Sequence, residues 1–229
     1  MPPVAGINIQ WILLIVIAIV GFIVQGRLQA VFTKYSRVPF PNGMTGREIA
    51  EKMLRDAGVH DVTVTSTRGR LTDHYDPRNK TVNLSEGVYE SSSIAAAAVA
   101  AHECGHAIQH ATEYAPLKMR SALVPVITFT SQWSFMVIIA GLLMINTFPE
   151  LFWVGIGMIA ISALFSLITL PVEYNASSRA IAWLDSTRLL SHTEMKQART
   201  ALSWAARTYL VAALSAVMTL LYFLSFARR

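Results

Sequence analysis

Four stretches of this chain are long enough to cross a bilayer as a helix and carry no charged side chain: residues 7–24, 121–148, 151–172 and 208–227. A hydrocarbon core of roughly 30 Å needs about 20 apolar residues in a helix. Lipid offers the backbone no hydrogen-bond partners, so a spanning segment must satisfy its own, as a helix does. The expected fold class is therefore a mainly α membrane protein with about four transmembrane helices. The composition agrees, since 53% of the 229 residues are hydrophobic and only 14% charged, against about a quarter charged in soluble domains. A water-soluble globule, a disordered chain and a disulfide scaffold are excluded, and the single cysteine, Cys104, has no partner within the chain. No Lys or Arg precedes residue 7 and no small-residue cleavage site follows residue 24, so the first stretch is expected to be a retained anchor rather than a signal peptide.

Sidedness follows from Lys and Arg, because cationic loops stay cytoplasmic. Residues 27–120 hold twelve and residues 173–207 hold five, while the Asn146 to Glu150 turn between the second and third spans holds none. Both large loops are expected inside, with the N-terminus and the turn outside. Arg228 and Arg229 then fall outside, a small opposition to seventeen residues in the loops. The net charge of +5 does not indicate nucleic acid, since the basic residues form no run and no aromatic stacking pattern accompanies them. Five segments result: an anchor over 1–26, a cytoplasmic domain over 27–120, a transmembrane hairpin over 121–172, a cytoplasmic helix over 173–207 and a last span over 208–229.

Within 27–120, apolar residues at 49, 50, 53, 54 and 57 recur at a helical period, Thr45 and Glu48 have capping-box spacing, and Gly58 ends the segment. The β-branched run at 62–65, a second run at 71–75 and a third at 80–85, after the Asp76-Pro77-Arg78-Asn79 turn, predict a small antiparallel sheet. Residues 91–111 are Ala-rich and helix-forming, but their apolar core is too short to span.

On that helix lies His102-Glu103-Cys104-Gly105-His106. Histidines at i and i+4 share a face, at the separation from which two imidazole nitrogens reach one zinc ion at roughly 2.0–2.1 Å. Glu103, next to the first histidine, is placed to hold an attacking water and take its proton. Cys104 lies about 200° around the helix from His102 and reads as a packed thiol. A small residue at Gly105 would let another backbone approach. A catalytic zinc takes a third protein ligand and keeps one position open. Glu173 is the candidate, being the only carboxylate between residues 151 and 181 and standing where the third span emerges; a helix-start carboxylate after Pro171 is the plainer reading. Ser177, one turn on, shares the Glu173 face and could orient a ligand. His110 reads as a helix-end cation rather than a ligand, and His60 and His74 as solvated. Tyr174, Arg179 and His192 each carry a donor for a developing oxyanion, and the sequence does not choose among them. Residues Lys80, Thr81, Val82, Asn83 and Leu84 are expected to form a sheet edge beside the histidine helix, to which an extended peptide would add.

The segments Tyr75 to Ser85, Ser93-Ile94-Ala95, Val99 to Gln109 and Leu170 to Ala180 closely resemble the bacterial YugP-like family of membrane zinc metallopeptidases. The resemblance covers most of the chain. It implies a gluzincin-like protease of the cell membrane with one zinc per chain, a small α+β zincin-like domain, and protein substrates. The family pattern more often reads Glu-aromatic-Asp-Ala-Ser where this chain has Glu173-Tyr174-Asn175-Ala176-Ser177, so Asn175 is a departure that touches any second carboxylate there and not Glu173. In other membrane gluzincins with a Glu-x-x-Ala-Asp segment, Ser177 falls where the Asp stands. With Glu173 close to the end of a span, the metal is expected near the cytoplasmic headgroups and the substrates among membrane-proximal segments of membrane-associated proteins. Two alternatives stand beside this reading: an inactive zinc-binding membrane scaffold or assembly factor, and an intramembrane protease whose histidine helix is itself a span.

Overall fold

The computed structural model describes residues 9–226. Among them the elements run α1 (Ile9–Tyr35), α2 (Gly46–Asp56), β1 (Thr63–Thr67), β2 (His74–Asp76), β3 (Thr81–Ser85), α3 (Glu86–Tyr89), α4 (Ile94–Ala111), α5 (Ala115–Leu143), α6 (Glu150–Ser186) and α7 (His192–Phe226). The protein is mainly helical, and α1, α5, α6 and α7 are long and apolar enough to cross a membrane. α1, α6 and α7 extend well past their uncharged runs, whereas α5 begins before its run and ends at Leu143. With 37 residues, α6 is about 55 Å long at 1.5 Å per residue, far more than a bilayer core requires. The separate helix expected over 173–207 is in fact two pieces, the C-terminal turns of α6 and the N-terminal turns of α7. Pro171 lies inside α6, so Glu173 is not a helix-start carboxylate.

Two compact units form. One comprises the described parts of 1–23 and 208–229 with residues 119–170. In it Ile138, Phe152 and Ile156 are buried, with Leu220 and Phe223 packed on them. A Cβ on Gly141 would come within 2.5 Å of the Phe152 backbone, so only glycine allows that helix contact. Phe22, Phe129, Phe135 and Leu143 are exposed, an outer surface suited to lipid rather than water.

The other unit comprises residues 24–118 and 171–207. Its α2 begins with the capping box: the Glu48 N–H donates to Thr45 Oγ1 at 3.3 Å and the Thr45 N–H to Glu48 Oε2 at 2.8 Å. Gly58, at φ +70°, then turns the chain in the left-handed region. The alanines of α4 let neighbours approach closely. Ala97, Ala98, Ala100 and Ala101 are buried with Ile49, Met53 and Leu54 of α2, Val82 and Leu84 of β3, Leu184 of α6 and Ala198 of α7. Cys104 is wholly buried and its thiol donates to the Ala50 carbonyl at 3.5 Å.

The sheet differs from the expected one. Its order is β1-β3-β2, with β1 parallel to β3 (Thr63↔Thr81) and β2 antiparallel to β3 (His74↔Asn83). The hairpin expected at residues 76–79 closes β2 onto β3, where Asp76 Oδ1 accepts from the Arg78 N–H at 2.8 Å. Residues 80–84 are therefore not an edge. Val82 and Leu84 are fully buried, whereas β1 and β2 hold no fully buried residue, and the strand with most apolar surface to cover takes the centre.

Candidate metal centre

His102 and His106 project from one face of α4, their ring centroids 4.8 Å apart and nearly perpendicular. Glu173 of α6 meets them. Its Oε2 lies 3.3 Å from His102 Nε2 and 3.5 Å from His106 Nε2, and one donor atom from each of the three residues falls within 4.8 Å of the others. Ligands at 2.0–2.1 Å in a tetrahedron are about 3.3–3.4 Å apart, which the two distances to Glu173 Oε2 match. The approach of α4 to α6 that permits this depends on Gly105, where a Cβ would stand 2.6 Å from the Ala176 carbonyl oxygen.

The other ring nitrogens are also engaged. Gln109 is completely buried, and its Nε2 donates to the Val172 carbonyl at 2.7 Å and to Asn175 Oδ1 at 3.0 Å. A carbonyl only accepts, so the amide orientation is set and Gln109 Oε1 faces His106 Nδ1 at 3.0 Å. That nitrogen must then carry the proton, which turns the Nε2 lone pair toward Glu173. Ser177 Oγ stands 3.1 Å from His102 Nδ1. Burial disfavours a charge on His106, yet its hydrogen bond to Glu173 and the Glu103 and Glu173 charges outweigh that and raise its pKa. A field that attracts a proton also attracts a divalent cation. Glu103, largely buried beside His102, is not part of the three-residue cluster.

The remaining candidates separate. Ser177 comes to His102, as described. Tyr174 is exposed. The Arg179 Nε–H donates to Asn175 Oδ1 at 2.8 Å, so it belongs to the Gln109–Asn175 network. His192 is exposed at the start of α7. His110 lies outside the cluster, with its Nδ1 2.8 Å from the Tyr75 hydroxyl. Burial first, then Asp61 and Asp76, push that hydroxyl up to about 12, so it stays neutral. Lys80 to Leu84 are corrected: β3 is paired on both sides, and the strand that reaches the histidine face through Tyr75 is β2, which has a free edge. Gln109 went unnoticed in the sequence, although its position one turn after His106 was a usable signal.

Two imidazoles of a His-Glu-x-x-His helix converging with a carboxylate from a later helix, in a chain with four membrane-length helices, is the arrangement of a membrane zinc metallopeptidase. The chain belongs to the family described as "Putative neutral zinc metallopeptidase", which matches residues 10–228. It is 42% identical over 205 residues, 89% of each chain, to "Putative membrane protease YugP" of Bacillus subtilis (strain 168). No solved structure matches the chain.

Proposed function

We propose that this chain is a zinc metalloendopeptidase that cuts membrane-proximal segments of membrane-associated proteins on the cytoplasmic side of a bacterial cell membrane. The observation that carries this reading is the convergence of His102, His106 and Glu173, donor atoms within 4.8 Å of one another, beside Glu103. These three would hold one zinc ion and leave a fourth position open, as catalytic sites do. When bound, zinc supplies Lewis acidity to the scissile carbonyl and to the water that attacks it. Glu103 moves the proton: its carboxylate takes one from the water as oxygen bonds to the carbonyl carbon, and returns it to the amine nitrogen as the C–N bond breaks. Gln109 holds the His106 ring in the tautomer that presents Nε2, and Ser177 meets His102 Nδ1. An extended substrate pairs through its main chain with the free edge of β2.

The substrate class rests on chain position. Glu173 immediately follows the uncharged run 151–172 in one continuous helix, so a chain reaching it is cut close to the membrane surface. Tethered substrates have a high effective concentration there. An intramembrane protease would need α4 to span, and α4 is not among the membrane-length helices of the described residues. A scaffold would leave Glu103 without a task.

The test is Glu103→Gln, whose amide cannot accept the proton. Zinc content by elemental analysis should stay at one per chain while peptide hydrolysis falls about 10²- to 10⁴-fold. His102→Ala, His106→Ala and Glu173→Ala should lose zinc instead. Wild-type turnover in Glu103→Gln would remove the general-base role. Full zinc occupancy in Glu173→Ala would move the third ligand elsewhere.

A further inference from the structure

We infer that the cavity between α1 and the loop joining β1 to β2 is a seat for an anionic phospholipid, with its phosphate on Arg70 and its hydrocarbon along Leu28 and Phe32. Nothing in this requires the peptidase reading. The cavity measures about 720 Å³ and is walled by α1, by Gly69, Arg70 and Leu71 of the loop, and by the start of α4. That is the size of a small-molecule site, roughly 300–1,000 Å³, and far more than a lone inorganic anion fills.

Position along the chain favours a lipid. The uncharged run of α1 ends at Val24 and the first charged residue is Arg27. At 1.5 Å per residue, Leu28 stands about 6 Å and Phe32 about 12 Å beyond Val24 along the same helix. The headgroup layer adds roughly 5–7 Å to each side of the hydrocarbon core, so the cavity begins at headgroup depth. Its α1 wall is divided lengthwise. Leu28 and Phe32 form one i, i+4 stripe and Gln29 and Thr33 the next, and all four line the cavity. The side chains of Gln29 and Thr33 make no hydrogen bond among the described residues. Hydrocarbon beside an amide and a hydroxyl matches a molecule that carries acyl chains below a polar ester region.

Charge favours an anionic one. Two charged residues line the cavity, and one is occupied: the Asp73 carboxylate accepts from the Ser85 N–H at 2.7 Å and from the Ser85 hydroxyl at 3.0 Å. The other, Arg70, makes no hydrogen bond or ion pair among the described residues. Around it the same two segments add Arg27, Lys34, Arg37 and Arg68, with no carboxylate in residues 24–40 or 66–72, so a phosphate is attracted to this wall. Leu71 completes the match. It is 62% exposed and held at φ +59°, a conformation uncommon for a bulky side chain, and it gives acyl carbons a second apolar surface in the cavity.

The test uses the full-length protein in detergent with phosphatidylglycerol, phosphatidylcholine and inorganic phosphate as probes, bound lipid being counted by native mass spectrometry. Phosphatidylglycerol should be retained at about one per chain and preferred over phosphatidylcholine. Arg70→Gln should lower its affinity about fivefold or more, whereas Arg55→Gln, on α2 and outside the cavity, should leave it unchanged. Thr33→Trp, which fills the cavity from α1, should lose the bound lipid with the fold retained by circular dichroism. In the wild type, a phosphatidylglycerol carrying a diazirine at the top of its acyl chain should crosslink to residues 28–33 and 69–71. Equal retention of the two lipids, equal losses in Arg70→Gln and Arg55→Gln, crosslinks confined to other residues, or displacement of the lipid by millimolar inorganic phosphate, which would mark a small-anion site, would each overturn the inference. None of these readouts involves zinc or hydrolysis, so such a failure would leave the peptidase reading standing.

Discussion

Gln109 shows how one buried amide decides the chemistry of a neighbouring ring. Because Val172 offers only a carbonyl, the amide has one orientation, and that orientation dictates which nitrogen of His106 is free. Gln109→Leu removes the acceptor and leaves the Val172 oxygen without its side-chain donor. Zinc affinity, measured by competition with a chromogenic chelator, should fall about 10- to 100-fold, with the fold retained by circular dichroism. Gly105→Ala acts on the same centre by a different route. Its Cβ meets the Ala176 backbone, so α4 and α6 must separate, at a cost of about 1–3 kcal/mol, and zinc binding should weaken together with thermal stability. An unchanged melting temperature in Gly105→Ala would mean that the helices yield without strain.

At the scale of elements, the central position of β3 changes what its residues do. Leu84 is wholly buried in a strand paired on both sides, so Leu84→Ala should cost about 2–5 kcal/mol through the cavity it leaves. The expected result is a lower melting temperature in detergent. An edge strand serving substrate would instead raise KM at constant stability, and that outcome would contradict the strand order. The capping box of α2 predicts a smaller loss for Thr45→Ala, about 0.5–2 kcal/mol. The β-branched run at 62–65 and the run after the 76–79 turn at 80–85 marked both as strands, because pleating and turn chemistry are local. Which strand lies in the middle depends on how much apolar surface each presents to α2 and α4, which no single segment contains.

For the whole molecule, the asymmetry of Lys and Arg predicts both large loops inside. With Cys104→Ser as background, single cysteines at Asn42 and Asn146 should differ in intact cells, only the second reacting with an impermeant maleimide. Equal labelling would remove the cytoplasmic placement. The substrate proposal is tested by moving one susceptible sequence away from the inner surface on a flexible linker within a membrane-tethered reporter. Cleavage should decline once the site no longer dwells near the headgroups. Equal cleavage of a soluble version at matched concentration would end the membrane-proximal reading while leaving the zinc chemistry in place.

The sequence alone determined what depends on neighbours along the chain: four uncharged runs, the Thr45–Glu48 cap, the hairpin at 76–79 and the shared face of His102 and His106. Hydrophobic period, cap chemistry and the 3.6-residue turn act over a few residues. Glu173 drew attention as a solitary carboxylate beside an apolar run, but nothing local brings it to His102 across 71 positions. The tertiary structure decided that, through the Gly105–Ala176 approach. It also decided the order of the strands, the passage of α6 through Pro171, the service of Gln109 to His106, and the use of α1 as a cavity wall. The Glu173 approach, the strand order and the α1 wall are contacts between elements distant in sequence, selected by how apolar surface is best covered and buried polar atoms best satisfied.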